Sequence, residues 1–132
     1  MSKALIITDS ASTAFHTQQI LEGLFSEVRA CNQVHTAEQM LESFEPDLVV
    51  IFDLQRTGTK APAVAEKIQV RARPTILVCP GLQSIAVSDP SRSVRISPPL
   101  TLTAVFKSMQ TLLIDQIVDQ SSLPIHLRRP AP

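Results

Sequence analysis

The sequence predicts a single α/β domain built on a parallel sheet, and three observations lead to that prediction. The run Leu48 to Phe52 is apolar throughout, so it has no polar face and is expected to be a strand covered on both sides. Apolar runs of this kind alternate with helical segments five times along the chain. Asp9 and Asp53 follow two of these runs, at the sheet edge where open α/β sheets bind ligands. We therefore expect a doubly wound sheet of five parallel strands with right-handed crossovers.

The strands are predicted from continuous apolar or β-branched runs that end in turn residues. They are expected at residues 4–8, 27–31, 48–52, 74–79 and 93–97.

The first two helices are predicted from their caps and apolar stripes. Ser10 or Ser12 can cap the first helix, which is expected to end near Phe25. Thr36, with Gln39 three residues later, indicates a capping box at the start of the second helix. The apolar stripe of the first helix, at offsets of zero, three, four and seven, consists of Thr17, Ile20, Leu21 and Leu24.

The second half of the chain predicts a modest third helix, an interrupted segment and a long final helix. Pro62 fits the first turn of the third helix. Residues 82–92 are rich in serine and contain Asp89-Pro90, so we expect a loop or one helical turn in place of a full fourth helix. The final helix is expected to run to about Asp119. Its apolar stripe consists of Leu102, Val105, Phe106, Met109, Leu112 and Leu113.

The chain is expected to divide into a domain at residues 1–119 and an extended arm at residues 120–132. The arm contains three prolines and the pair Arg128-Arg129.

Composition argues against nucleic-acid and membrane partners. The formal net charge is zero, there is no Trp or Tyr for base stacking, and no run approaches the length of a membrane span. Residues 1–55 have two basic and eight acidic side chains, whereas residues 56–132 have ten basic and four acidic side chains. This charge asymmetry fits ordinary solvated surface or could guide self-association. Cys31 and Cys79 show no metal-binding spacing, which favours free thiols in a cytoplasmic protein.

Four segments, in their order and spacing, resemble the receiver domain of two-component response regulators. The similarity extends from Ala4 to about Asp119 and implies a flavodoxin-like fold. Active members of that family accept phosphate on an aspartate beside a magnesium ion. The segments are Leu-Ile-Ile-Thr-Asp-Ser at 5–10, Pro-Asp-Leu-Val-Val at 46–50, Pro-Thr-Ile-Leu-Val-Cys at 74–79 and Arg-Ile-Ser-Pro-Pro-Leu at 95–100.

The acidic positions that the resemblance implies are altered. An active receiver ends its first strand with two acids that bind the metal, whereas this chain has Asp9 followed by Ser10. The phospho-acceptor position falls on Phe52, and Asp53 comes one residue later. Because side chains alternate along a strand, that slip is expected to turn Asp53 away from the cleft unless a bulge absorbs it.

The remaining positions of the implied phosphate site are altered as well. Cys79 replaces the hydroxyl residue at the end of the fourth strand, and Pro98 replaces the lysine of the fifth, followed by Pro99, whose cis bond is expected to persist. We therefore expect no catalytic residue and no cofactor, with Asp9 and Asp53 as weak candidates for metal binding. The predicted degenerate phospho-acceptor pocket consists of Asp9, Ser10, Phe52, Asp53, Cys79 and Pro98.

Three functional hypotheses follow. The first is a non-enzymatic pseudo-receiver that signals by binding a protein partner, or a second copy of itself, without aspartyl phosphorylation. Its predicted surface is the fourth-helix, fifth-strand and fifth-helix face, residues 82–109. The alternative is a working receiver in which Asp53 accepts phosphate from a histidine kinase in the presence of Mg²⁺. A third hypothesis is a flavodoxin-like domain that binds a small ligand in the cleft.

Overall fold

The computed structural model of the chain describes residues 2–68, 73–80, 86–89, 93–118 and 123–127, in which six strands form one sheet. The strands are β1 Lys3–Ile7, β2 Glu27–Cys31, β3 Leu48–Phe52, β4 Thr75–Val78, β5 Ala86–Asp89 and β6 Ser93–Ile96. The α-helices are α1 Ala11–Glu22, α2 Val34–Ser43, α3 Ala61–Ile68 and α4 Leu102–Thr111, and short 3-10 helices cover Asp115–Ile117 and Ile125–Leu127.

The strand order is β2-β1-β3-β4-β6-β5, and the first five of these are parallel neighbours. The expected doubly wound, flavodoxin-like sheet of five parallel strands is therefore confirmed. Ile7 pairs with Ile51, and Val78 pairs with both Phe52 and Ile96. This register brings the carboxyl ends of β1, β3, β4 and β6 together at one edge of the sheet.

Strand alternation divides the core into two layers, one on each face of the sheet. Ile6 and Val50 pack in the same cluster as residues of α1 and α4, whereas Leu5 and Val49 pack in the same cluster as residues of α2 and α3. Both faces of β3 are buried from Leu48 to Ile51, as the continuous apolar run predicts.

Polar contacts hold the entry to β3. The Asp47 carboxylate accepts the backbone N–H of Lys3 at 2.8 Å, and the Asp47 N–H donates to the Lys3 carbonyl at 2.8 Å. The Arg73 guanidinium donates to the carbonyls of Leu41 and Pro46 at 2.8 and 3.1 Å. These bonds connect the residues before β3 to the start of β1, and the segment before β4 to α2 and to the residues before β3.

The segment at 82–92 differs from its prediction. Its described residues, Ala86–Asp89, form an edge strand antiparallel to β6 instead of a loop or a helical turn. Asp89 pairs with Ser93 across only three intervening residues, a connection too short for a parallel crossover and suited to a hairpin. The rest of the prediction for this segment falls outside the described residues.

The first two helices differ from their predicted ends. Ser10 caps α1 as expected, but α1 ends at Glu22, because the chain turns at Gly23 and carries Phe25 into the core. The capping box predicted at Thr36 is wrong. The residue that caps α2 is Gln33, three residues before Thr36, and the helix begins at Val34. Gln39 lies 3.3 Å from the His35 ring within the helix.

The final helix is shorter than predicted because a Schellman motif ends it. Leu113 has a left-handed backbone, with φ of 62°, and its N–H donates to the Gln110 carbonyl at 3.1 Å. The N–H of Ile114 donates to the Met109 carbonyl at 2.9 Å. Leu113 is therefore 77% exposed and not part of the core stripe, although Leu112 is buried.

The described part of the predicted arm packs on the domain. Leu123 is 2% exposed and belongs to the same core cluster as residues of α1 and α4. Residues Ile125–Leu127 form a 3-10 helix, and Leu127 packs against that cluster. This part of the chain is therefore not an extended arm, because burial of Leu123 ties it to the core.

Candidate functional site at the carboxyl end of the sheet

Asp9 follows β1, and its carboxylate binds backbone. Its Oδ1 accepts the N–H of Gln55 at 3.0 Å, and its Oδ2 accepts the N–H of Arg56 at 2.8 Å. The bond from the Arg56 N–H lowers the pKa of Asp9 below the ordinary value, since this bond favours the charged form. Asp9 therefore anchors the segment that follows β3.

That segment, which we call the anchored loop, consists of residues 54–60 and closes on itself. Leu54 and Thr59 exchange backbone hydrogen bonds of 2.8 and 3.1 Å, which form an isolated antiparallel bridge. Gly58 has φ of 67°, a conformation that favours glycine at this turn. The loop is thus a small hairpin with a defined backbone.

Asp53 anchors the other end of this loop. Its Oδ1 accepts the N–H of Ala61, the first residue of α3, at 2.6 Å, and its Oδ2 lies 3.6 Å from Lys60 Nζ. The Asp53 side chain is 12% exposed and that of Lys60 is 74% exposed. An acceptor at the first turn stabilises a helix, whereas an ion pair to a solvated lysine contributes little.

Ser10, the residue at the second acid position of the resemblance, is a helix cap. Its Oγ accepts the N–H of Thr13 at 3.3 Å, and its own N–H donates to Thr8 Oγ1 at 3.2 Å. This hydroxyl satisfies the first turn of α1, which explains a serine at the position.

A cleft of about 340 Å³ opens at this edge of the sheet, between α1 and the ends of β3, β4 and β6. We call it the carboxyl-end cleft. Its lining residues are Thr8, Ser10, Ser12, Thr13, His16, Thr17, Phe52, Asp53, Gln55, Val78, Pro80, Pro98, Pro99 and Leu100.

The cleft unites four of the six residues predicted for the degenerate pocket, namely Ser10, Phe52, Asp53 and Pro98. Phe52 packs against the same core cluster as α1, and the Pro98-Pro99 bond is cis, as the resemblance implied. Asp53 also lines the cleft, whereas the sequence predicted that its side chain would turn away from the cleft. Its Oδ1 nevertheless accepts the Ala61 N–H of α3, and its Oδ2 is paired with Lys60.

The other two predicted residues lie elsewhere. Asp9 lines a separate depression with Cys31 and Asn32, on the side of β1 that faces β2. Cys79 packs against the core cluster of α2 and α3, whereas its neighbours Val78 and Pro80 line the cleft. Alternation at the end of β4 therefore places the apolar side chains of Val78 and Pro80 at the cleft wall and the Cys79 thiol outside it.

The residues of this site do not fit a resident magnesium ion. Mg²⁺ takes oxygen ligands in near-octahedral geometry. Here the Asp9 oxygens accept two backbone N–H groups, and Asp53 Oδ1 accepts a third. Among the described residues, no group of three His, Cys, Asp or Glu side chains could hold a metal ion.

The two cysteines are free thiols, as their spacing predicted. Burial raises the pKa of Cys31 to about 11, so this thiol stays protonated and unreactive at neutral pH.

Most residues of the α1 wall of the cleft were not predicted as part of the site. Ser12 and His16, and likewise Thr13 and Thr17, follow the i, i+4 spacing of one helix face, which was a usable signal for the α1 wall of the cleft. The bonds from Gln55 and Arg56 to Asp9 come from backbone N–H groups, so no side-chain pattern in the sequence predicts them.

No protein-family model and no curated protein matches the sequence. Solved structures do match it. The N-terminal domain of a response regulator/sensory box/GGDEF protein from Carboxydothermus hydrogenoformans has a TM-score of 0.64 at 18% identity, over 87% of this chain and 97% of that one. SdrG from Sphingomonas melonis Fr1 has a TM-score of 0.62 at 24% identity, over 86% of this chain and 97% of that one.

The anti-anti-sigma factor PhyR from Bartonella quintana has a TM-score of 0.61 at 18% identity, over 89% of this chain. The chain spans about half the length of PhyR, 47%. These similarities establish the fold: the chain has the fold of a response-regulator receiver domain.

In the described residues, no helix combines the length and the apolar character that crossing a bilayer requires.

Asp53→Ala removes the acceptor of the Ala61 N–H. We expect the free energy of unfolding, measured by urea denaturation, to fall by about 1–2 kcal/mol through loss of this cap. Hydrogen exchange at the Ala61 amide should accelerate. Asp53→Asn keeps an oxygen acceptor and should lose much less stability. Equal stabilities for the alanine variant and the wild type would contradict the capping role.

Asp9 should make folding stability depend on pH at acidic values. Its folded-state pKa is lowered, so its contribution is complete above the unfolded value of about 3.9 and is lost as pH falls through the lower folded value. The difference in stability between wild type and Asp9→Asn, measured by urea denaturation, should therefore be constant from pH 7 to pH 5 and should shrink progressively as the pH falls below about 3.9. A difference that does not shrink at any pH below about 3.9 would rule out the charged form as its source.

Proposed function

We propose that this protein is a receiver-fold signalling module that acts by binding another protein and does not depend on aspartyl phosphorylation. The observation that carries the proposal is the use of both strand-end carboxylates as acceptors for backbone N–H groups of the anchored loop and α3. These bonds occupy both Asp9 oxygens and one Asp53 oxygen, which leaves less of each carboxylate for a shared metal or phosphoryl group.

Energetics support the same proposal. Phosphoryl transfer depends on positioning and on stabilisation of charge, and a charge-assisted hydrogen bond contributes about 1.5–3 kcal/mol, or one to two powers of ten in an equilibrium constant. Pro98 offers no such bond from the fifth parallel strand, β6. Lys60 lies near Asp53, but its side chain is 74% exposed, so water screens its charge.

The receiver fold supports a regulatory role. One protein of similar structure, PhyR, is named an anti-anti-sigma factor, and another is the first domain of a response regulator. A regulator with this fold and without a reaction centre is expected to act through contacts with a partner.

We propose that the partner surface includes the last-helix face, defined as Lys107, Gln110, Thr111 and Leu113. The three α4 residues are exposed, and Leu113 is 77% exposed at the helix end. The exposed lysine on α4 and the exposed leucine that follows its end supply a charge and an apolar contact to a partner. Lys107 lies in the predicted region 82–109, whereas Gln110, Thr111 and Leu113 extend the surface beyond it. The antiparallel strand β5 forms the sheet edge of that region.

The alternative, a phosphorylatable receiver, has one observation in its favour. Asp53 lines the carboxyl-end cleft and lies 3.6 Å from the Lys60 ammonium, which could replace the cation missing at Pro98. In that case the bond to the Ala61 N–H would have to break when Asp53 accepts phosphate.

Incubation with a small acyl phosphate donor and Mg²⁺ should leave the intact mass of the protein unchanged. The reason is that neither the carboxylates nor Pro98 can stabilise the acyl phosphate. Mass spectrometry under cold, neutral conditions measures the outcome, with an active receiver domain as the positive control. A Mg²⁺-dependent gain of one phosphoryl group that disappears in Asp53→Asn would establish the alternative instead.

A double variant of the last-helix face, Lys107→Glu with Leu113→Asn, should lose partner binding. Asparagine tolerates the left-handed backbone at position 113, so the fold should survive, as circular dichroism can verify. Binding to the partner isolated with the wild type should weaken at least tenfold in surface plasmon resonance. Glu38→Lys, an exposed charge reversal on α2, is the matched control. Equal loss in both variants would exclude this face as the specific surface.

A further inference from the structure

The α1 wall of the carboxyl-end cleft contains one buried hydroxyl with no hydrogen-bond partner. Thr17 is 1% exposed, and its Oγ1 makes no hydrogen bond among the described residues. The neighbouring hydroxyls are engaged: Thr8 Oγ1 accepts the Ser10 N–H, and Ser10 Oγ accepts the Thr13 N–H. A buried hydroxyl without a partner costs free energy, and Thr17 lines the cleft, so a group bound there could restore its bond.

Apart from Asp53 and Gln55, the wall opposite α1 is apolar. Phe52 and Val78 lie at the strand ends, and Pro98, Pro99 and Leu100 continue the same wall. Aromatic and proline surfaces offer flat packing to a ring. The cleft therefore pairs a hydrogen-bonding side with an apolar side, the combination found in small-molecule sites.

Charge narrows the class of ligand. The described lining residues include no Lys or Arg, so an anion such as phosphate has no cation to bind. The carboxylate of Asp53 is 12% exposed and already bonded to Ala61 and paired with Lys60, which leaves little of its charge for a cationic ligand. The volume of about 340 Å³ lies at the lower end of the range for small-ligand pockets.

We infer that the carboxyl-end cleft binds a small, uncharged heteroaromatic ligand, whose ring packs against Phe52 and the proline wall and whose polar edge bonds Thr17 Oγ1. His16, at the α1 wall, offers a second polar group to the same edge. This site is independent of the last-helix face, so binding there would add a small-molecule input to the module.

The test uses the full chain, labelled with ¹⁵N, and three uncharged fragments: adenine, indole and benzamide. Inorganic phosphate serves as the anionic comparison. At low-millimolar concentration, at least one fragment should shift the amides of Thr13, His16, Thr17 and Leu100 in a saturable way, and phosphate should not. Saturable shifts from phosphate alone, shifts that map outside the cleft, or no shift from any fragment would each overturn the inference.

A variant separates recognition from structure. Thr17→Val keeps the shape of the side chain and removes only the unpartnered hydroxyl, so the free protein should be at least as stable as the wild type. Its fragment affinity should fall about tenfold, the loss of one hydrogen bond. Thr36→Val, in α2 and outside the cleft lining, is the matched control and should bind as the wild type does. Unchanged affinity in Thr17→Val, or binding in the cleft by a protein partner only, would contradict the inference.

Discussion

Hydrogen bonds from backbone N–H groups to two carboxylates define the carboxyl edge of this sheet. Asp9 receives two of them from Gln55 and Arg56, and Asp53 receives one from Ala61. The two residues follow neighbouring parallel strands, so together they hold both ends of the anchored loop. A receiver fold that uses its strand-end acids in this way gains a defined loop. Both Asp9 oxygens and one Asp53 oxygen then accept backbone N–H groups, and we propose that these carboxylates do not bind a metal ion.

The rest of the site is consistent with that use. Where charge would assemble around a phosphoryl group, the cleft has Phe52 and two prolines, and α1 contributes neutral hydroxyls. Electrostatic stabilisation is the main contribution of a protein to phosphoryl transfer, so a cleft of this composition is poorly suited to the reaction. An amphipathic cleft is, however, suited to uncharged ligands. We therefore propose small uncharged molecules as the ligands of this cleft.

The sequence predicted those features that depend on side-chain pattern. The apolar run at Leu48–Phe52 and its repetition specified the parallel sheet, and Ser10 marked the start of α1 correctly. It did not predict features that depend on backbone geometry. The left-handed turn at Leu113 ended α4 early without a glycine to signal it, and the hairpin of β5 with β6 lay in a segment of weak pattern. Asp53 was identified, but its partner, an amide of α3, has no sequence signature.

The central claim is that the Asp9 and Asp53 carboxylates are engaged by backbone and do not share a metal ion. A titration with Mg²⁺, followed through the ¹⁵N–¹H resonances of Gln55, Arg56 and Ala61, tests it most directly. The account predicts that these resonances stay in place at low-millimolar Mg²⁺. A saturable shift of all three, absent from Asp9→Asn and from Asp53→Asn, would mean that the carboxylates leave the loop to bind the ion, and would contradict the account.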